Sequence, residues 1–165
     1  GIERITGKKP IFVQFDLREK AAVQAFFTKY TEVTGVIHFA ASKAVGESVQ
    51  NPLLYYENNI ASLVYLLQEL QKKPEAHFIF SSSCTVYGQA EVMPIVETTP
   101  IQAAMSPYGN TKQIGEEIIA DVTKVSGLNA ILLRYFNPIG AHPSTEIGEL
   151  PIGVPQNLVP FITQT

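Results

Sequence analysis

Short apolar runs alternate along this chain with longer segments whose apolar residues recur at helical spacing, and this alternation constrains the fold more than any other feature. Four runs rich in β-branched and aromatic residues are predicted strands: 11–15, 36–40, 77–81 and 130–136. Three segments between them are predicted helices: 19–30, 52–71 and 107–125. The last two begin with a cap residue and a proline, Asn51-Pro52 and Ser106-Pro107. Beyond Asn137 the chain is rich in glycine and proline and is predicted to be a long loop.

Strands that are apolar almost throughout are typical of a parallel sheet that helices cover on both faces. The predicted fold class is therefore α/β, with a Rossmann-like, doubly wound parallel sheet. In such sheets ligands bind at the carboxyl ends of the strands. The polar residues that follow the strands are therefore candidate site residues: Asp16, Lys43, Ser83 and Asn137.

A tyrosine and a lysine four residues apart, Tyr108 and Lys112, carry the strongest chemical signal. On a helix this spacing places both side chains on one face, one turn apart. A lysine ammonium beside a phenol is expected to lower the pKa of the phenol from its ordinary value of about 10. Such a tyrosine can exchange a proton with an alcohol while hydride moves to or from a nicotinamide ring. Ser83 could hold the same alcohol oxygen, so Ser83, Tyr108 and Lys112 form the predicted catalytic set.

Composition argues against several classes of function. The 165 residues carry a net charge of −3 and no basic cluster, so no nucleic-acid partner is expected. No apolar run is long enough to span a membrane and no signal-peptide pattern is present, so no membrane partner is expected. The single cysteine, Cys84, fits a reducing compartment and a cytoplasmic location. The histidines lack metal-ligand spacing, so no metal is expected; His38 and His77 are predicted to be packed within strands.

A dinucleotide-binding domain normally opens with a strand and a glycine-rich turn that holds the pyrophosphate. The sequence contains no such turn. We therefore expect an incomplete sheet, with the N-terminal βα unit and the C-terminal substrate domain absent. The expected organisation is a partial NAD-binding Rossmann domain in residues 1–140 and the start of a substrate-binding region in residues 141–165. Such a fragment is expected to be inactive in isolation.

Four stretches resemble the family of UDP-glucose 4-epimerases, within the extended short-chain dehydrogenase/reductases: residues 43–49 (KAVGESV), 80–83 (FSSS), 106–109 (SPYG) and 133–138 (LRYFNP). The resemblance covers essentially the whole chain, which matches the middle of these enzymes. It implies an isomerase of galactose metabolism that interconverts UDP-glucose and UDP-galactose through a transient 4-keto sugar. It also implies NAD as a tightly held cofactor.

Carried over position by position, the resemblance assigns roles to individual residues. Tyr108 would be the acid/base at the sugar 4-hydroxyl, Lys112 would bind the nicotinamide ribose, and Ser83 would hold the 4-oxygen. All three would thereby line the cofactor site, and Ser83 and Tyr108 the substrate site. The other implied cofactor residues are Asp16 and Leu17 at the adenine, Phe39, Ala40 and Lys43 in the cleft, Asn58 on its helix, and Tyr135 and Phe136 at the nicotinamide. The other implied substrate residues are Asn137, Asn157 and Leu158.

Most of these positions also have a purely structural alternative. Asp16 could cap the following helix, and Asn58 could be a solvated helix residue. The remaining alternatives are a surface lysine at Lys43, core aromatics at Tyr135 and Phe136, and a turn former at Asn157.

Two other functions are open. A nucleotide-sugar 4,6-dehydratase of the same fold would place an Asp-Glu pair after the strand serine, whereas Cys84 and Thr85 follow Ser83 here. A non-catalytic NAD-binding protein would not need the Ser/Tyr/Lys set. Departures from the family's loop at Leu150, Ile152 and Gln156 leave the choice between plain and N-acetylated sugars open.

The resemblance also implies a homodimer, in which helices 52–71 and 107–125 pair across a two-fold axis. Four apolar residues on these helices exceed what one sheet face needs: Leu63, Leu66, Leu67 and Ile118. A thicker core within one chain is the alternative use for them.

Overall fold

The computed structural model describes residues 1–73, 75–149, 153 and 158–164. The chain divides into two compact units: Phe15–Tyr135, and a smaller unit made of Gly1–Gln14 with Phe136–Thr165. The sheet belongs to the larger unit. The sequence-based boundary at residue 140 lies within the smaller unit, and the division into cofactor and substrate regions stays a prediction.

Three parallel strands form the sheet in the order β1-β2-β3: β1 Gly35–His38, β2 His77–Ser83 and β3 Asn129–Tyr135. Ser83 at the end of β2 pairs with Tyr135 at the end of β3, and His38 at the end of β1 pairs with Phe80. Three of the four predicted strands and the parallel arrangement are thereby confirmed. Strand β2 extends past its predicted end at Ser81, so the whole serine triplet belongs to it.

The predicted strand at residues 11–15 is wrong. These residues form no strand, and Ile11 and Phe12 are 75% and 83% exposed. A strand needs a neighbour that pairs with its backbone groups, and no strand in the described residues lies beside this segment. Phe15 packs instead against Phe26 of the following helix, with ring centroids 5.4 Å apart.

Seven α-helices occur in the described residues: α1 Ile2–Thr6, α2 Lys20–Lys29, α3 Val45–Gln50, α4 Pro52–Tyr56, α5 Ser62–Leu70, α6 Pro107–Val125 and α7 Leu158–Gln164. A π-helical turn, Glu57–Ala61, joins α4 to α5, so the predicted helix 52–71 is one helical segment with a π interruption. Helices α1, α3 and α7 were not predicted because five to seven residues carry too little periodicity. No helix in the described part of the chain has the length and apolar content needed to cross a membrane.

Local sequence explains both the start of α6 and its close approach to the sheet. The Ser106 hydroxyl accepts a hydrogen bond from the Gly109 backbone N–H at 3.1 Å, and Pro107 follows at the first helical position, as predicted. Further along α6, a Cβ at Gly115 would lie only 2.8 Å from the Phe80 ring. Glycine at this position therefore lets α6 lie close to β2.

The core of the larger unit lies on one face of the sheet, between β2 and helices α2, α5 and α6. Phe78 and Phe80 of β2 contribute to it, and the buried helix residues are Val23, Phe27, Leu63, Leu66, Leu67, Leu70 and Ile119. On the opposite face, Ile37 and Ile131 are 62% and 56% exposed. Within this unit helices cover one face of the sheet. The predicted α/β class, with a parallel Rossmann-like sheet, is confirmed.

The leucines that suggested a homodimer are buried in this core. Leu63, Leu66 and Leu67 are 0–5% exposed within a single chain, and Ile118 is half-buried against the same cluster. Their apolar character is explained by the thicker core, which was the alternative. These four residues therefore do not support a dimer.

The two strand histidines differ. His38 is 5% exposed and lies beside the rings of Phe78 and Phe80, so its predicted packing is confirmed. His77 is exposed at the first position of β2, so the same prediction is wrong for it. Among the described residues no group of three or more His, Cys, Asp or Glu side chains could hold a metal ion.

Candidate active site

The candidate site begins where β2 ends. Ser83 is 8% exposed, and its hydroxyl accepts a hydrogen bond from the Thr85 backbone N–H at 3.2 Å. This bond caps the short 3-10 turn Cys84–Tyr87 that follows the strand. The Ser83 hydroxyl therefore lies at the carboxyl edge of the sheet, which is the edge where parallel α/β sheets bind ligands.

Helix α6 brings Tyr108 and Lys112 to the same edge. The Lys112 ammonium donates a hydrogen bond to the Ser81 carbonyl at 2.7 Å, and it lies 5.7 Å from the centre of the Tyr108 ring. Lys112 is 5% exposed, and this burial lowers its pKa to about 8. The spacing argument that placed these two side chains together is confirmed.

The pKa of Tyr108 moves in the direction opposite to the sequence expectation. Burial raises it above the ordinary value of 10.0, the hydrogen bond with Ser83 lowers it, and the nearby Cys84 raises it. The Lys112 ammonium, 5.7 Å from the centre of the Tyr108 ring, does not reverse this direction. The phenol of Tyr108 is therefore neutral at neutral pH.

Aromatic and cationic residues continue the edge beyond β1 and β3. Phe39, which follows β1, is 62% exposed, and its ring stacks on that of Tyr135 with centroids 6.3 Å apart. Ala40 and Lys43 are also exposed. Tyr135 is half-buried and its ring faces the exposed ring of Phe39, so it is not a plain core residue.

Two asparagines of the π-helical turn hold the loop that carries these residues. Asn58 donates a hydrogen bond to the Ser42 hydroxyl at 3.0 Å, so it is not the solvated helix residue of the alternative reading. Its neighbour Asn59 accepts from the Ser42 backbone N–H at 2.8 Å and donates to the Ser42 carbonyl at 3.0 Å. Asn59 also donates to Thr111 on α6 at 3.1 Å, so it links the loop to the helix that carries Tyr108.

Asp16 and Leu17 lie at the start of the larger unit. Asp16 is exposed, and its carboxylate accepts bonds from the Arg18 backbone N–H at 2.8 Å and from the Arg18 guanidinium at 2.7 Å. These bonds hold the pKa of Asp16 below its ordinary value. The N-cap of α2 is Glu19, so the alternative role of Asp16 as a helix cap is wrong. Leu17 is half-buried against the core.

The remaining predicted site residues lie outside the larger unit. Phe136, Asn137 and Leu158 belong to the smaller unit, where all three are exposed. Four other residues singled out from the sequence lie outside the described residues: Leu150, Ile152, Gln156 and Asn157.

A buried polar cluster beside the predicted catalytic set was not predicted from the sequence. The Glu116 carboxylate is 5% exposed and accepts bonds from the Ser82 hydroxyl at 2.5 Å and from Arg134 at 2.6 and 2.9 Å. Arg134 also donates to the Tyr87 hydroxyl at 3.0 Å. The spacing in the sequence could have indicated this residue, because Glu116 follows Lys112 by four residues and so lies on the same face of α6.

The fold and this site define a class of protein, and comparison with known proteins agrees with it. Residues 2–153 match the model of the NAD dependent epimerase/dehydratase family, and the chain belongs to that family. A UDP-glucose 4-epimerase of Schizosaccharomyces pombe is 52% identical over 99% of this chain and 47% of its own length. A UDP-glucose 4-epimerase of Haemophilus influenzae is 45% identical over 99% of this chain and 48% of its own length.

Solved structures are similar in fold and in sequence. The UDP-glucose 4-epimerase of Bifidobacterium longum, in complex with NAD+ and UDP, superimposes with a TM-score of 0.91 at 43% identity, over 99% of this chain and 49% of that one. The enzyme of Stenotrophomonas maltophila, with bound NAD and formylated UDP-arabinopyranose, gives 0.89 at 44% identity, over 99% of this chain and 48% of that one. The present chain therefore spans about half the length of the relatives that it matches.

Proposed function

We propose that a full-length protein carrying this chain is an NAD-dependent UDP-sugar 4-epimerase that interconverts UDP-glucose and UDP-galactose through a transient 4-keto sugar. The observation that carries the proposal is the grouping of Ser83, Tyr108 and Lys112 at the carboxyl edge of a parallel sheet. Relatives that are 45% and 52% identical over nearly the whole chain bear the name of this enzyme.

The side chains at this edge fit a dinucleotide cofactor. Phe39 and Tyr135 offer aromatic surface, and Lys43 offers an exposed cation for a phosphate or ribose oxygen. The Asp16 carboxylate, fixed by Arg18, can accept a hydrogen bond from an adenine amino group. Asn58 adds amide groups from the π-helical turn. In the smaller unit, Phe136 would provide a further aromatic surface for the nicotinamide.

The proposed chemistry divides between the cofactor and this chain's own residues. A bound NAD would supply reversible hydride transfer at carbon 4 of the sugar and a positive charge that favours the phenolate of a nearby tyrosine. The Tyr108 oxygen takes the proton of the sugar 4-hydroxyl and later returns it. The Ser83 hydroxyl holds the 4-oxygen, and Lys112 binds the nicotinamide ribose. Because the hydride and the proton are both returned, the sugar undergoes no net oxidation.

Substrate binding is proposed for the part of the chain that follows β3. Asn137, Asn157 and Leu158 would hold the nucleotide, together with Ser83 and Tyr108 at the sugar. This division assigns residues 1–140 to cofactor binding and residues 141–165 to the start of a substrate region. A firm hold on UDP and a loose hold on the sugar suit a 4-keto intermediate that must turn over within the site.

Replacing Tyr108 by phenylalanine tests the function. Tyr108→Phe in the full-length protein removes only the phenolic oxygen, so turnover of UDP-galactose should fall by about 10²-fold or more while UDP-sugar affinity changes little. Tyr65→Phe, which removes a hydroxyl from half-buried Tyr65 on α5, is the matched control and should keep wild-type turnover. Wild-type turnover in Tyr108→Phe would refute the assignment.

We also propose that the full-length protein is a cytoplasmic homodimer. The single cysteine fits a reducing compartment. Leu53 on α4 is 80% exposed, and in a dimer a second copy would cover it. Light scattering should give twice the monomer mass, and a monomer mass at every concentration would contradict the dimer.

A further inference from the structure

We propose that Glu116 is a positioning residue of the candidate active site, because its bond to Ser82 fixes where α6, and with it Tyr108 and Lys112, lies on the end of β2. This inference rests on the proposed function. Neither Glu116 nor Ser82 contacts the reacting atoms in the mechanism above, so both would act through the catalytic set.

The contacts form a ladder between one strand end and one helix. Three consecutive residues of β2 each interact with a residue of α6. The pairs are the Ser81 carbonyl with the Lys112 ammonium at 2.7 Å, the Ser82 hydroxyl with the Glu116 carboxylate at 2.5 Å, and Ser83 with the Tyr108 phenol. The Ser82 bond is the one member of this ladder that the proposed chemistry does not use. It therefore holds helix and strand in place without itself reacting.

The Glu116 carboxylate is fixed from the sheet side as well. Arg134, opposite Ser82 in the register of β2 and β3, donates two bonds to it and one to the Tyr87 hydroxyl. Ser82 and Glu116 are 3% and 5% exposed, so water does not compete for their bond. Such a bond tolerates little displacement of α6 relative to β2. This matters for the rate, because a shift of about 1 Å at a reacting group can cost about 10²-fold.

The competing explanation is that this cluster only stabilises the fold, and Ser82→Ala separates the two explanations. The substitution removes the strand-to-helix bond but leaves the ion pair between Glu116 and Arg134 intact, so the protein should still fold. Two quantities are measured in the full-length protein. One is the steady-state kinetics with UDP-galactose, and the other is the pH titration of the Lys112 ε-carbon by 13C NMR, assigned with Lys112→Met.

The proposal predicts that kcat falls about tenfold while KM changes little. In the wild-type structure the Lys112 ammonium faces Tyr108, His38 and the Phe80 ring. The proposal also predicts that the pKa of Lys112 rises from about 8 toward 10.5 in Ser82→Ala, because a displaced α6 exposes the ammonium to water. Asp121→Asn is the control, since it breaks an exposed ion pair with Lys124 on the same helix and should change neither quantity.

The outcomes separate this inference from the proposed function. Wild-type kcat together with an unchanged Lys112 titration in Ser82→Ala would overturn the positioning role, whether or not thermal stability falls. An active Tyr108→Phe would instead overturn the epimerase assignment. The Lys112 titration needs no turnover, so it reports on the position of α6 in either case.

Discussion

At the scale of single residues, burial controls the charge state of the site more than pairing does. The pKa of Lys112 falls to about 8 and that of Tyr108 rises, so both shifts favour the neutral form. His38 behaves in the same way, because burial first and the charge of Lys112 second lower its pKa to about 4. These side chains lie together at the end of the sheet, where a bound ligand would exclude still more water.

Replacing His38 by leucine should remove one source of acid sensitivity. A histidine takes up a proton near pH 6.5 when unfolded but only near pH 4 in this structure, so the unfolded state binds more protons between these values. The free energy of unfolding therefore falls as the pH drops from 6.5 to 4, by about 2–3 kcal/mol from this residue.

Denaturant unfolding of wild type and His38→Leu at pH 7 and pH 4.5 measures this difference. The loss of stability on acidification should be smaller in His38→Leu. His77→Leu, at the exposed first position of β2, should lose as much as wild type. An equal loss in all three proteins would show that His38 is not buried in its neutral form.

At the scale of elements, α6 carries more of the site than any other segment. It begins at the Ser106 cap, presents Tyr108 and Lys112 in its first two turns, and binds β2 through Glu116 in the next turn. The π-helical turn Glu57–Ala61 positions the loop after β1, because its asparagines bond the loop at Ser42. Interruptions of this kind are common at functional sites.

Gly115→Ala should separate α6 from the sheet. The added methyl group would lie 2.8 Å from the buried Phe80 ring and 3.2 Å from Leu63, so the helix or the ring must move. Overpacking of this kind typically costs about 1–3 kcal/mol, more than alanine gains in helix propensity. Gly46→Ala in α3 is the matched control, because nothing lies within 4 Å of its added methyl group. Equal midpoints of urea unfolding for the two variants would show that the contact at Gly115 is not tight.

Element by element, the sequence was informative where periodicity or cap chemistry was strong. The start of α6 followed from Ser106-Pro107, and strands β1, β2 and β3 followed from their apolar runs. The run at 11–15 has the same composition, but composition does not show whether a neighbouring strand is present. The sequence did not predict the polar cluster around Glu116. Its other members, Ser82, Arg134 and Tyr87, come from β2, β3 and the 3-10 turn, which only the folded chain brings together.

At the scale of the whole molecule, the predicted catalytic set and the proposed nucleotide contacts fall in different units. Ser83, Tyr108 and Lys112 belong to Phe15–Tyr135, whereas Asn137 and Leu158 belong to the smaller unit. The chain spans about half the length of the relatives that it matches. Acid/base chemistry and nucleotide affinity can therefore be tested separately.

The 165-residue chain should bind NAD only weakly and should not epimerise UDP-galactose. Its sequence contains no glycine-rich turn, and backbone N–H groups of that turn at a helix N-terminus are the main source of pyrophosphate affinity in dinucleotide-binding folds. The aromatic and cationic residues at Phe39, Lys43 and Tyr135 can contact the cofactor but do not replace those groups. Calorimetric titration of NAD into this chain should therefore give little heat, as expected for weak binding. Under the same conditions the full-length protein should bind NAD tightly and stoichiometrically. Tight, stoichiometric binding to the 165 residues alone would mean that the dinucleotide is held by a different set of residues from those proposed here.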